Sequence, residues 1–252
     1  QEIQAVDLNG ISLSYRVIGE GEPLVLLHGF AETGASAWNS VIGDLSSQFR
    51  LIVPDLRGHG HSTNPSGEFT HAQSALDILG LLDHLHVENF RAMGISSGGM
   101  TLLHVATTQP ERVDAMVLIG ATSHFPESAR EIMRRYHPDS LSQSRLEASG
   151  RKHSRGVEQA REIWGQFYSM ADSYRDMNFT PPLLSTISAR TLIVHGDRDS
   201  FFPVSIPVQE YQAIPDAYLW IVPNGGHVPL MNSPQDRSYF IQRVLAFFRG
   251  GS

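Results

Sequence analysis

The sequence predicts an α/β protein with a mostly parallel central sheet and helices on both faces of that sheet. One observation is the unbroken apolar run at residues 24–27, which a strand tolerates only when both of its faces are covered. Another is the segment at 70–85, where apolar residues recur every three or four positions, as on one face of a helix. Because strand-like and helix-like segments alternate along the chain, most neighbouring strands should run parallel.

The elements follow one another in the order that such a sheet requires. Alternating polarity at 11–17 indicates a strand with one buried face, and the apolar spacing within 36–49 indicates a helix. In chain order the predicted elements are strands at 11–17 and 24–27, a helix at 36–49, a strand at 51–53, a helix at 70–85, a strand at 90–95, a helix at 100–108 and a strand at 115–119.

The alternation stops after residue 121. From there the chain turns polar and rich in arginine, while helical spacing recurs at Ile163, Phe167 and Met170. We expect residues 122–185 to form a helical cap that is inserted over the edge of the sheet. The core would then comprise residues 1–121 and 186–252, with further strands at 192–194 and 218–222 and a closing helix at 239–248.

Composition excludes several classes of partner and of chemistry. The chain has 252 residues, 41% of them hydrophobic, and a formal net charge of −7 that is spread without acidic or basic blocks. We therefore expect no nucleic acid and no anionic membrane as partner. The absence of cysteine rules out disulfides and thiolate chemistry. No apolar run approaches the roughly 20 residues that span a bilayer, so a soluble protein is expected.

The compartment and the oligomeric state stay open. The sequence begins with Gln1 rather than Met, so a secreted or periplasmic protein whose signal peptide was removed in maturation is one alternative, and a cytoplasmic protein is the other.

The pentapeptide at 94–98, Gly-Ile-Ser-Ser-Gly, indicates a nucleophilic serine. It stands between a predicted strand and a predicted helix, and a small-x-Ser-x-small sequence there is typical of a tight turn that exposes one serine hydroxyl above a sheet. Ser96 is that serine. It needs a base within hydrogen-bond reach and a third group that holds the base.

The base and its partner are expected downstream. His227 lies in the Gly-rich segment 224–229, directly after the last predicted strand, where a loop can direct an imidazole toward Ser96. Asp197 and Asp199 follow the strand at 192–194, and either carboxylate can serve as the third group.

Four segments resemble those of the α/β-hydrolase superfamily, and the resemblance covers nearly the whole chain. They are His28-Gly29-Phe30, the segment from Pro54 to Ser62, the serine pentapeptide, and Gly196-Asp197-Arg198-Asp199 with Pro203. The resemblance implies an α/β-hydrolase fold with a helical cap insertion and a serine hydrolase that needs neither cofactor nor metal.

The same resemblance assigns individual roles. It implies Asp199 as the acid that orients His227, which leaves Asp197 to bond the backbone of its own turn. It also implies that the backbone amides of Phe30 and Ser97 bind the oxyanion of the tetrahedral intermediate.

The expected substrate is a small ester-like molecule, either a carboxylic ester or a lactone. Candidate pocket residues are Phe30, Phe125, Trp164, Phe167 and Val228. For Trp164, Phe167 and Tyr168 we prefer packing within the cap to contact with substrate. His59 and His61 are not expected to bind a metal, because no acidic residue shares their spacing on a helix face. Asp55 and Arg57 are equally compatible with a buried ion pair and with an exposed turn.

Other functions remain alternatives. Residues 34–38 resemble a segment of enzymes that hydrolyse carbon–carbon bonds of ring-cleavage products with the same three catalytic residues. Cofactor-free perhydrolysis would differ only in that peroxide rather than water meets the acyl-enzyme. A receptor on the same fold, with slow or no turnover, is a third alternative, because the fold does not determine the function.

Overall fold

One mixed sheet lies at the centre of the chain, which the computed structural model describes over residues 2–229 and 233–250. Within these residues the strands are β1 Gln4–Leu8, β2 Ile11–Ile18, β3 Glu22–Leu27, β4 Phe49–Pro54, β5 Phe90–Ile95, β6 Val113–Ile119, β7 Arg190–Gly196 and β8 Ala217–Val222. Their order across the sheet is β1-β2-β4-β3-β5-β6-β7-β8. The pairs β1–β2 and β2–β4 are antiparallel, and all the other pairs are parallel.

Helices cover both faces of this sheet. They are α1 Gly34–Trp38, α2 Ile42–Ser46, α3 His71–His84, α4 Ser97–Thr108, α5 Glu127–Met133, α6 Gln143–Gly150, α7 Val157–Ser169, α8 Pro181–Leu184, α9 Ser205–Ala213 and α10 Pro234–Phe248, with short 3-10 turns at 110–112, 134–136, 138–140 and 170–172. None of the helices described is both long and apolar enough to cross a membrane.

Strand β3 shows why its sequence is apolar without interruption. Val25 and Leu27 pack into the core on the face covered by α3 and α4. Leu24 and Leu26 pack on the opposite face, against residues of α1, α2 and α10. All four side chains are fully buried. An alternating pattern would have placed polar groups in one of the two cores, where they cost free energy unless they are hydrogen-bonded.

The predicted fold class, a mostly parallel sheet between two layers of helices, is confirmed. The edge strand β1 was missed; apart from Val6 and Leu8, which are partly buried, its residues are exposed. The single helix expected at 36–49 is two short helices, α1 and α2. The closing helix begins five residues earlier than expected, at Pro234, where the side chain of Ser233 accepts a hydrogen bond from the amide of Asp236. Gln1, on which the idea of a removed leader rests, lies outside the described residues.

The chain between β6 and β7 carries α5 to α8 and packs on the core through polar contacts as well as apolar ones. His153 Nδ1 accepts a hydrogen bond from the amide of Gly60 (3.0 Å). Gln159 Nε2 donates to the carbonyls of Gly58 (2.8 Å) and Gly60 (3.1 Å). These contacts join the helical segment to the loop that follows β4.

The loop that follows β4 is held by an ion pair between Arg57 and Asp77, not between Arg57 and Asp55. Arg57 is buried, but its guanidinium bonds both carboxylate oxygens of Asp77 on α3 (Nε–Oδ2 2.7 Å, Nη2–Oδ1 2.9 Å). Asp55 instead accepts hydrogen bonds from the amides of Gly34 (2.9 Å) and His61 (3.1 Å). Neither of the two alternatives for Asp55 and Arg57 is found: Arg57 is buried, but its partner lies 20 residues away on a helix.

Three buried histidines lie where the helical segment meets the core. The rings of His28 and His59 are 5.2 Å apart, and those of His59 and His153 are 5.9 Å apart. Burial lowers the pKa of His28 and of His59, the latter well below its ordinary value. Burial, followed by the charges of His28 and Lys152, lowers the pKa of His153 to about 4. These rings are therefore neutral in the folded protein at neutral pH.

We expect the free energy of unfolding to fall as the pH drops from about 7 to about 4.5, because the unfolded chain then binds protons that the buried rings exclude. The loss begins near the ordinary histidine pKa of 6.5 and continues towards the pKa of about 4 of folded His153. His153→Gln should lessen the fall in urea unfolding measured across this range. His84→Gln, at an exposed histidine, should leave it unchanged. An equal fall in wild type and His153→Gln would contradict this account.

Candidate active site

Ser96 lies at the turn between β5 and α4 in a backbone conformation that few residues other than glycine adopt. Its φ is 49° and its ψ is −113°, and its amide donates to the carbonyl of Ile119 (2.7 Å). A Cβ at Gly98 would lie 2.4 Å from the carbonyl oxygen of Leu27. The turn therefore fits against β3 only because residue 98 has no side chain. Such strain persists where surrounding contacts enforce it, and it is common at functional sites.

The structure brings Ser96, His227 and Asp199 into one line of hydrogen bonds. His227 Nε2 lies 2.9 Å from Ser96 Oγ, and His227 Nδ1 lies 2.8 Å from Asp199 Oδ2. The three residues follow β5, β8 and β7, respectively. Because these strands are parallel, their carboxyl ends meet at one edge of the sheet, where loops from distant parts of the chain converge.

The surroundings of Asp199 keep its carboxylate ionised. Burial by itself would raise the pKa of Asp199, but the hydrogen bonds from His227 and from the amides of Phe201 and Phe202 outweigh burial, and the pKa lies below its ordinary value. An ionised Oδ2 requires a proton on His227 Nδ1. In the neutral ring, Nε2 then accepts the hydrogen bond from the Ser96 hydroxyl.

Neither Asp197 nor His195 takes part in the line of hydrogen bonds from Ser96 to Asp199. The carboxylate that bonds the backbone of this turn is that of Asp199, whose Oδ1 accepts from the amides of Phe201 (2.7 Å) and Phe202 (3.2 Å). Asp197 Oδ1 is buried without a hydrogen-bond partner among the described residues, so the backbone-bonding role expected of Asp197 belongs to Asp199. His195 Nε2 donates to the carbonyl of Phe202 (2.9 Å) and lies 3.6 Å from Asp199 Oδ2.

The turn after β3 lies beside the serine. His28 fixes it from both ring nitrogens, since Nδ1 donates to the carbonyl of Gly29 (2.8 Å) and Nε2 accepts from the amide of Leu56 (2.8 Å). A Cβ at Gly29 would lie 3.7 Å from that of Ser96. The ring of Phe30 is held edge-on by His59 and Phe69, at centroid distances of 4.8 and 5.1 Å.

A cavity of about 270 Å³ opens on Ser96 and His227. Phe30 and Ser97, whose amides were assigned to the oxyanion, lie in its wall, as do all the other candidate pocket residues. The wall consists of Gly29, Phe30, Glu32, His71, Ile95, Ser96, Ser97, Met100, Phe125, Met133, Tyr136, Trp164, Phe167, Met170, Phe201, Phe202, His227 and Val228.

Two of the three aromatic residues of α7 line the cavity, whereas the sequence analysis preferred packing within the cap for all three. Trp164 and Phe167 line the cavity, although Trp164 also stacks on Tyr136 at 5.1 Å. Tyr168 faces a separate surface groove and contacts the ring of His137. Helical spacing alone does not show which residues of α7 face the cavity, because the residues that face the cavity and those that face the core lie on the same apolar side of the helix.

Several wall residues were missed by the sequence analysis. Phe201 and Phe202 lie two and three residues after the acid and could have been found from that position. His71 begins α3 and carries no motif, so nothing in the sequence indicated it. Across the residues described, no group of three or more histidine, aspartate or glutamate side chains could hold a metal ion.

Comparison with known proteins places the chain in a family. A family model described as the alpha/beta hydrolase fold matches residues 22–162, which is more than half of the chain. The chain belongs to the α/β-hydrolase family. The resemblance inferred from the four sequence segments is thereby confirmed.

Similar members of this family include both bacterial and mammalian proteins. The 2-hydroxy-6-oxo-6-(2'-aminophenyl)hexa-2,4-dienoic acid hydrolase of Metapseudomonas resinovorans is 27% identical over 275 aligned residues, covering 96% of this chain and 89% of that protein. The serine hydrolase BPHL of Mus musculus is 27% identical over 243 residues, covering 88% of this chain and 79% of that protein. The crystal structure of the esterase RhEst1 from Rhodococcus sp. ECU1013 superposes with a TM-score of 0.77 at 25% identity, over 100% of both chains.

Gly120 holds the backbone of the His227 loop close to the sheet, and its replacement should be costly. Its φ is +57°, and a Cβ there would lie 2.2 Å from the carbonyl oxygen of His227. We expect Gly120→Ala to lower the free energy of unfolding by about 2 kcal/mol or more, measured by urea denaturation. Gly226→Ala is the matched control in the same loop, because a Cβ there meets nothing within 4 Å. Equal stability of the two variants would show that the loop moves without cost.

Proposed function

We propose that the chain is a serine hydrolase that cleaves small carboxylic esters or lactones through an acyl-enzyme on Ser96. The observation that carries this proposal is the line of hydrogen bonds from Ser96 through His227 to Asp199, which borders a cavity of about 270 Å³. A serine hydroxyl is a weak nucleophile by itself, and a base held by a carboxylate is the arrangement that activates it.

In this mechanism Ser96 Oγ attacks the carbonyl carbon of the ester while its proton passes to His227 Nε2. Asp199 stabilises the imidazolium that forms and holds its orientation. His227 then returns the proton to the departing alkoxide, which leaves as the alcohol, or stays attached as a hydroxyl if the substrate is a lactone. Water attacks the acyl-enzyme in the same manner and gives its proton to His227, which passes it to Ser96 as the acid leaves.

The amides of Phe30 and Ser97 are the donors that this mechanism assigns to the oxyanion. Ser97 begins α4, so its amide is one of the free N–H groups at a helix N-terminus. Phe30 follows the turn that His28 fixes beside Ser96. Donors that are fixed in advance stabilise the developing charge without reorganising, and one such donor contributes about 3 to 4 kcal/mol in comparable sites.

Residues 122–185 are proposed to act as the cap that closes the acyl side of the site. They supply Phe125, Met133, Trp164, Phe167 and Met170 to the cavity wall. This wall is mainly apolar, which favours uncharged acyl groups and keeps bulk water from the acyl-enzyme.

Hydrolysis of a carbon–carbon bond is a second candidate, favoured by the substrates for which several similar proteins are named. The M. resinovorans relative is named for hydrolysing a 2-hydroxy-6-oxo-dienoic acid. Such an acid contains no ester bond, so its hydrolysis breaks a carbon–carbon bond. The same serine, histidine and aspartate would serve, with a carbanion rather than an alkoxide as the leaving group.

The Ser96→Ala variant tests the nucleophile. We expect wild type to hydrolyse p-nitrophenyl acetate and butyrate and to be labelled once by a fluorophosphonate. Ser96→Ala should lose at least about 10⁴-fold in kcat and all labelling, because the other two residues cannot act without the nucleophile. Ser74→Ala, which removes a buried hydroxyl on α3, should retain both. Labelling without turnover of any ester would instead favour the receptor alternative.

A comparison of substrates separates the two hydrolytic candidates. We expect kcat/KM for p-nitrophenyl butyrate to exceed that for 2-hydroxy-6-oxo-6-phenylhexa-2,4-dienoate by at least about a hundredfold, which corresponds to about 2.7 kcal/mol in the barrier. Steady-state kinetics followed at the chromophore of each substrate measures both values. The reverse order, with activity lost in Ser96→Ala for the dienoate, would assign the carbon–carbon reaction.

A further inference from the structure

A second line of hydrogen bonds lies beside the first and begins at the residue that follows the nucleophile. Ser97 Oγ lies 2.7 Å from His71 Nε2, and His71 Nδ1 lies 2.7 Å from Asp176 Oδ2. The side chains of His71 and Asp176 are 1% and 4% exposed. The mechanism proposed above uses the amide of Ser97 but neither its hydroxyl nor His71.

The partners of Asp176 determine which atoms of this line are donors. Its Oδ2 also accepts from the amide of His71 (2.8 Å), and its Oδ1 accepts from the amide of Ala72 (3.0 Å). Burial by itself would raise the pKa of Asp176, but the contacts of His104 and His71 outweigh burial and hold the pKa far below its ordinary value. The carboxylate is therefore ionised, and His71 Nδ1 carries a proton that it donates to Oδ2.

This arrangement leaves an unused acceptor on Ser97. In the neutral ring of His71, Nε2 accepts the hydrogen bond that the Ser97 hydroxyl donates. A hydroxyl oxygen has two lone pairs, and among the described residues no donor fills those of Ser97 Oγ. The ionised Asp176 polarises the line, which makes this oxygen a better acceptor than a hydroxyl without such a partner.

Ser97 and His71 both belong to the wall of the cavity that holds Ser96. Covalent geometry places a serine Oγ roughly 3 to 3.7 Å from its own amide nitrogen, depending on the rotamer. If that amide binds the carbonyl oxygen of the acyl group, Ser97 Oγ lies close enough to accept a hydrogen bond from a donor that the acyl group carries next to its carbonyl. A hydroxyl on the α or β carbon of the acyl group meets this condition, and one farther along the chain does so only by folding back.

We propose that Ser97 Oγ, oriented by His71 and Asp176, selects hydroxyacyl esters by accepting a hydrogen bond from a hydroxyl on the α or β carbon of the acyl group. The inference rests on the proposed acyl-enzyme at Ser96 and narrows its substrate class. Ser97 is thus a specificity-determining residue, and His71 and Asp176 are positioning residues. An alkyl group of the same shape leaves the polarised oxygen without a donor, whereas the hydroxyl pairs with it.

The test uses isosteric pairs of p-nitrophenyl esters, namely 3-hydroxybutyrate with 3-methylbutyrate and 2-hydroxybutyrate with 2-methylbutyrate. For each pair the ratio of kcat/KM, hydroxy over methyl, is measured in wild type, Ser97→Ala and Ser74→Ala. Comparing ratios between variants cancels the intrinsic reactivity of each ester. Ser97→Ala retains the backbone amide, and Ser74→Ala removes a buried hydroxyl that does not line the cavity. Thermal unfolding of each variant checks that it is folded.

In Ser97→Ala we expect the ratio to fall about tenfold for at least one pair, which corresponds to the loss of one hydrogen bond in an apolar site. Ser74→Ala should keep the wild-type ratios. A fall of less than about threefold in both pairs would overturn the selection by Ser97 while leaving the hydrolase intact. If Ser96→Ala still hydrolyses all four esters, or if wild type hydrolyses none of them, the proposed function is overturned and this inference with it.

Discussion

The close backbone approach between the β5–α4 turn and β3 is the constraint on which the rest of the site depends. Gly98 lets the start of α4 touch the carbonyl of Leu27, and Ser96 takes a positive φ to make the turn. This contact brings the serine, the free amide that begins α4 and the turn at Phe30 into one small volume. A side chain at position 98 would separate the two turns, and the serine would lose its position relative to both proposed oxyanion donors.

The site is polar where the chemistry is proposed to occur and mainly apolar elsewhere. In the polar part, buried carboxylates, imidazoles and backbone amides are one another's hydrogen-bond partners. Asp199 divides its two oxygens between His227 and the amides of the following turn. Asp176 divides its oxygens in the same way between His71 and the start of α3. Buried carboxylates of this kind are held ionised only by such donors, so each one fixes the imidazole beside it. The helical segment is thereby joined to the core at Asp176, as it is at His153 and Gln159.

Much of the fold could be predicted because its signals are local. The run at 24–27 is apolar because both faces of β3 are covered, and the helical spacing at 70–85 reflects one buried face of α3. The candidate site was predictable for a different reason. Ser96, Asp199 and His227 each follow a strand, and the carboxyl ends of parallel strands meet at one edge. The helix at 36–49 was predicted less well, because apolar spacing does not reveal a break between two short helices that share a buried face.

The sequence by itself determined the α/β class, the order of the elements and the identity of Ser96, Asp199 and His227 as candidates, since these depend on periodicity and on short motifs that neighbouring residues carry. Only the tertiary structure decided that Arg57 pairs with Asp77, that Trp164 and Phe167 line the cavity, and that His71 reaches Ser97. Those contacts join residues that are far apart in the chain or lie on the same helical face as core residues. These contacts depend on how the helices pack and on which face of each helix points toward the core, and a local sequence pattern does not determine either.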